Sequence, residues 1–133
     1  MNPLWIYRLF TNVGGPLVYG LLRRRLSQGK EDAARISERR GVASRLRPAG
    51  KLIWIHAASV GESQSSLALI VKLLEAEPET HVLQTTGTLT SAHLMQERLP
   101  PRSFHQFAPV DRLPWVRTFL DHWQPDIALW MES

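Results

Sequence analysis

Apolar positions in the second half of the chain fall into two alternating rhythms. Leu52-Ile53-Trp54-Ile55 is a short unbroken apolar run, the mark of a strand buried on both faces. After Gly61, the residues Leu67, Leu69, Ile70, Leu73 and Leu74 recur at helical spacing, and this helix closes near Pro78. His81 to Thr86 predicts a second strand, and Gly87 turns the chain. Thr90 or Ser91 is placed to cap a helix through Leu99, which Pro100-Pro101 stops. A short strand over Phe104–Phe107 and an amphipathic helix over Leu113–Trp123 follow, the latter facing inward through Trp115, Val116, Phe119 and Leu120. Pro125 breaks the chain before a fourth buried strand, Ile127-Ala128-Leu129-Trp130-Met131. Strands and helices alternating in this way imply βαβ units, hence an α/β fold with a Rossmann-like parallel sheet. The chain stops just after a buried strand, which predicts that it is a fragment of a larger domain.

The first fifty residues follow neither rhythm. Residues 1–26 hold an apolar stretch of about the length of a membrane span, but Arg8 and the Gly14-Gly15-Pro16 break interrupt it. Trp5, Tyr7 and Tyr19 suit headgroup depth, and Arg23-Arg24-Arg25 follows directly, as on the cytoplasmic side of an anchor. The charge comes after the apolar run and no small-residue cleavage site appears, which argues against a signal peptide. We expect a membrane-associating arm, with a helix packed on the domain as the alternative. Residues 27–50 look like a basic connector, with Ala33–Arg40 helix-compatible and Gly41 ending it. Residues 51–133 form the α/β domain.

Charge sharpens this division. The net charge of +4 over 133 residues suggests an anionic partner, yet residues 1–50 carry +7 and residues 51–133 carry −3. Thirteen of the sixteen basic residues are Arg, suited to bidentate phosphate contacts. The basic character belongs to the N-terminal part, so nucleic acid is a poor expectation for the whole. The absence of cysteine removes disulfide scaffolds, thiolate metal sites and cysteine nucleophiles.

In parallel sheets ligands bind beyond the carboxyl ends of the strands, so the chemistry is sought there. The loop His56-Ala57-Ala58-Ser59-Val60-Gly61-Glu62-Ser63 joins a strand to a helix, where backbone N–H groups and the positive helix end favour an anion. Glu62 is either a general base or a first-turn charge, and His56 is by default structural. Ala57-Ala58-Ser59-Val60-Gly61 also approximates a nucleophile elbow, with Asp111 and His122 in the right order for a serine hydrolase. Thr85, Thr86, Gly87 and Thr88 cluster hydroxyls around one glycine, to meet phosphate or sugar oxygens or simply to shape turns. Glu132 closes the fourth strand, at the same crevice or merely solvated. Gly-rich nucleotide fingerprints and paired histidines at metal-ligand spacing are both missing from the sequence.

Four ordered stretches bear a family resemblance. Arg40-Gly41 with Arg47 through Glu62, Thr85 to Ala92, Pro109-Val110-Asp111, and Pro125 to Ser133 together resemble the N-terminal domain of 3-deoxy-D-manno-octulosonic acid (Kdo) transferases. The resemblance covers nearly the whole chain and implies a GT-B glycosyltransferase whose donor domain is not present here. It implies inverting transfer of Kdo from CMP-Kdo to a lipid A precursor, without metal or other cofactor, at the cytoplasmic face of the bacterial inner membrane. It also implies that Glu62 is the general base, that Ser59 and Gly61 shape the loop, and that Thr85–Thr88 lie near the acceptor. The role of Glu132 stays open, because the family stretch around it is incomplete. A membrane-bound lipid-binding module is the remaining alternative, and this chain alone is expected to be inactive.

Overall fold

The computed structural model describes residues 15–131. Helix α1 (Gly15–Ser27) begins at the predicted break, with Leu17 and Leu21 exposed one turn apart and Leu22 buried. No helix among the described residues is long and apolar enough to cross a membrane. Trp5 and Tyr7 lie outside the described residues. A short 3-10 helix (Ile36–Arg40) follows, ended by Gly41 in the left-handed conformation at φ 82°. Then come β1 (Leu52–Ala57), α2 (Val60–Ala76), β2 (His81–Thr86), α3 (Leu89–Arg98), β3 (Ser103–Phe107), α4 (Leu113–Trp123) and β4 (Ile127–Met131).

The four strands form one sheet in the order β3-β2-β1-β4, and every neighbouring pair is parallel. The expected α/β parallel architecture is therefore present. Strand periodicity sends alternate residues of β1 to opposite cores. Leu52 and Trp54 join Leu83, Phe104, Phe119 and Trp123 on the α4 side. Ile53 and Ile55 join Val82, Ile70 and Leu74 on the α2 side. Polar ties fix the layers laterally: Gln84 Nε2 donates to Ser66 Oγ of α2 at 2.6 Å, and Trp123 Nε1 of α4 donates to Gln106 Oε1 at 2.9 Å.

Two expectations need correction. The cap of α3 is neither Thr90 nor Ser91 but Thr88, whose hydroxyl accepts from Ser91 N–H at 3.2 Å. Ser91 sits in the first turn instead, buried, with its Oγ 2.7 Å from Thr86 Oγ1. Strand β4 is not buried: among the described residues it lies at the edge of the sheet, and Ile127 and Trp130 are 41% and 53% exposed. An apolar run marks a strand but not whether both faces are covered, and here β1 takes the central position.

Residues of the 27–50 stretch are woven into the domain. The Glu38 carboxylate, 1% exposed, accepts from both arms of Arg35 at 2.9 and 2.7 Å and from Ser44 Oγ at 2.5 Å. It also accepts from Phe107 N–H at 2.8 Å, on the outer side of β3. Arg35 Nη2 donates to the His105 carbonyl at 3.1 Å, Arg39 donates to the Ala108 carbonyl, and Val110 N–H donates to the Arg39 carbonyl. Two outward-facing backbone groups of β3, Phe107 N–H and the His105 carbonyl, are thus taken by side chains where another strand would otherwise pair. Arg47 donates to the carbonyls of Trp123 and Gln124 at the end of α4, at 2.8 and 3.3 Å. Arg35, Arg39 and Arg47 therefore direct their guanidinium groups into the domain.

Candidate functional site

The β1–α2 loop is built around its helix cap. Ser59 has extended backbone (φ −130°, ψ 170°), and its Oγ accepts from Glu62 N–H at 3.2 Å. The same hydroxyl donates to Glu62 Oε2 at 2.8 Å. Ser59 and Glu62 thus form a Ser-x-x-Glu capping pair that orients the carboxylate in the first turn, where the helix end favours negative charge. Glu62 is partly exposed, at the carboxyl end of β1. Gly61 lies between the pair, and a Cβ there would meet only Ser59 Oγ, at 4.0 Å.

The hydroxyl cluster divides in two. Thr85 and Thr86 are fully buried, whereas Gly87 and Thr88 reach the surface. Thr85 Oγ1 accepts from Trp54 Nε1 at 2.9 Å and lies 2.9 Å from His56 Nδ1. Thr86 Oγ1 lies 2.6 Å from His105 Nε2. Arg35 Nη2, which can only donate, is 3.1 Å from His105 Nδ1, so His105 is protonated on Nε2 and donates to Thr86. Burial first, and then the Arg35 charge, push the His105 pKa down to about 3. Thr85 and Thr86 therefore bind the strand ends together internally. Glu132 lies outside the described residues.

A second feature shares this end of the sheet. A cavity of about 470 Å³ opens between β1, β4, the chain after β3 and α4, lined by Trp54, His56, Pro109, Asp111, Leu120 and Trp130 among others. Trp130 pairs with His56 in the β1–β4 register, and its ring stands 4.7 Å from Trp54 and 5.5 Å from His56. Sequence reasoning placed His56 in a strand-end loop and Pro109–Asp111 in a family-like stretch but took Trp130 for a buried strand residue. Its place opposite His56 appears only once the β1–β4 register is known.

The hydrolase alternative fails on this geometry. The Ser59 hydroxyl is held by Glu62, while His122 lies in the last turn of α4 and bonds the Arg45 carbonyl through Nε2 at 2.9 Å. Because β3, α4 and β4 form a parallel crossover, the end of α4 lies at the amino ends of the strands. There Leu52 N–H donates to Asp126 at 2.8 Å. Ser59 and His122 thus stand at opposite ends of the sheet. Among the described residues, no three of His, Asp and Glu gather as a metal site.

A parallel α/β domain with a capped carboxylate and a cavity at its strand ends has the architecture of the Rossmann-like class, in which ligands bind beyond the carboxyl ends of the strands. Comparison with known proteins narrows the class. The chain matches the family described as 3-deoxy-D-manno-octulosonic-acid transferase (kdotransferase) over residues 34–133. It is 37% identical over 118 residues to the 3-deoxy-D-manno-octulosonic acid transferase of Rickettsia bellii (strain RML369-C), covering 89% of this chain and 28% of that protein. It is 36% identical over 128 residues to a probable mitochondrial 3-deoxy-D-manno-octulosonic acid transferase of Arabidopsis thaliana, covering 96% of this chain and 29% of that one. No solved structure matches. The chain belongs to the Kdo transferase family, and it spans under a third of the length of these curated relatives.

Proposed function

We propose that this chain is the acceptor-side, N-terminal part of a GT-B glycosyltransferase that moves Kdo from CMP-Kdo to a lipid A precursor in lipopolysaccharide synthesis. In this reading Glu62 is the general base. Its carboxylate takes the proton of the acceptor hydroxyl, and the freed oxygen forms a bond to the Kdo anomeric carbon. CMP departs from the opposite face with the electron pair of the broken bond, which inverts the centre. The donor-binding domain belongs to the longer polypeptide, so this chain alone does not turn over. The exposed Leu17 and Leu21 of α1, beside Arg23 and Arg24, support contact with an anionic membrane surface. The cytoplasmic face of the bacterial inner membrane is the site that goes with this chemistry.

One observation carries the proposal: within the matched family region, the Ser59 hydroxyl clamps the Glu62 carboxylate at the carboxyl end of the central strand. A carboxylate held in one rotamer is ready to receive a proton without reorganising. The test is Glu62→Gln in the full-length transferase, assayed by label transfer from CMP-Kdo. The amide preserves the cap geometry but cannot take the proton, so kcat should fall by about 100-fold or more with the protein folded. Turnover within a few-fold of the parent would remove Glu62 from the role.

A further inference from the structure

We infer that the cavity between β1, β4 and α4 is a pyranose-binding subsite with Trp130 as its stacking platform. This rests on the transferase reading for which sugars are at hand, but not on the role of Glu62. Three observations converge. The cavity, at about 470 Å³, falls in the range of small-molecule sites. It opens at the carboxyl ends of β1 and β4, where parallel sheets bind ligands. Its wall joins an aromatic face to polar groups: the Trp130 ring borders the cavity, braced by Trp54 and His56, and Asp111 also lines it.

That combination matches one ligand chemistry. A pyranose ring has an apolar face of C–H groups, which covers an indole, and a rim of hydroxyls, which needs hydrogen-bonding partners. His56 and Asp111 both line the cavity, and a carboxylate has acceptor capacity for several hydrogen bonds. An acyl chain would cover the indole equally well but would press hydrocarbon against His56 and Asp111, which costs desolvation without return. The bracing also has a purpose. A Trp held by two rings loses little side-chain freedom when a ligand stacks on it, so binding is not spent on ordering the platform.

The sugar is either the acceptor's or Kdo, and the experiment separates them. The 133-residue chain, labelled with nitrogen-15, is titrated separately with the deacylated lipid A precursor, with Kdo and with octanoate. The Trp130 indole N–H resonance, assigned from Trp130→Phe, reports occupancy. Saturable movement of that resonance with either sugar supports the subsite, and the sugar that moves it is the source. Followed by the Trp54 indole N–H, which also borders the cavity, Trp130→Phe should keep binding, while Trp130→Ala, shown folded by circular dichroism, should weaken it about tenfold. Movement with octanoate alone, or with none of the three, overturns the proposal. Glu62→Gln should titrate like the parent, so a failed base assignment leaves this result intact, and a failed subsite leaves that assignment intact.

Discussion

His105 makes the stability of this domain depend on pH, with a sign and a size. Its ring accepts from Arg35 at Nδ1 and donates to Thr86 at Nε2, so a second proton at Nδ1 would confront the guanidinium 3.1 Å away. Burial and that charge lower the folded pKa from 6.5 to about 3. Between these values the unfolded chain holds more protons than the folded one, so stability falls as pH falls. The loss begins near pH 6.5, grows by about 1.4 kcal/mol per pH unit below it, and levels off near pH 3. Going from pH 7.5 to 5 should therefore cost about 2 kcal/mol through this one group. Other groups add their own slopes, so the measurement is a difference. Urea unfolding of the parent and of His105→Asn, followed by Trp fluorescence, gives two curves of stability against pH. Asparagine can still accept from Arg35 but does not titrate, so its curve should be flatter by that amount over the same interval. Parallel curves, or a His105 ring resonance titrating near pH 6.5 in the folded chain, would refute the buried neutral imidazole.

Three further changes probe the segment before β1. Glu38→Ala leaves the half-buried Arg35 without its carboxylate and Phe107 N–H without an acceptor. It should cost about 3–5 kcal/mol in urea unfolding, and a loss below 1 kcal/mol would show that the β3 edge needs no such partner. Gly41→Ala places a Cβ 2.0 Å from the Trp115 carbonyl oxygen at a φ of +82°, whereas Gly29→Ala at +74° meets nothing within 4 Å. The second should cost about 1–2 kcal/mol from backbone strain alone. The first should cost clearly more in thermal melts, and equal losses would sink the close approach.

The order and type of the elements from β1 to β4 were legible in the sequence because each strand or helix carries its own period. The capping pair was legible too, since Ser59 and Glu62 are three residues apart and need only local geometry. What escaped depends on partners distant in sequence. Thr85 and Thr86 sit in a hydroxyl-rich stretch that suggests a surface loop, yet Trp54, His56 and His105 enclose them from neighbouring strands. Glu38 lies in a stretch that reads as a basic connector, and only its 69-residue reach to Phe107 shows its place. Trp130 carries no local mark of exposure, because whether a strand is central or lateral is a property of sheet order.

On the β3 side of the sheet, Glu38 takes the outward-facing Phe107 N–H and Arg35 takes the His105 carbonyl. A strand added beyond β3 would have to displace both side chains, so the segment before β1 limits how far the sheet can extend in that direction.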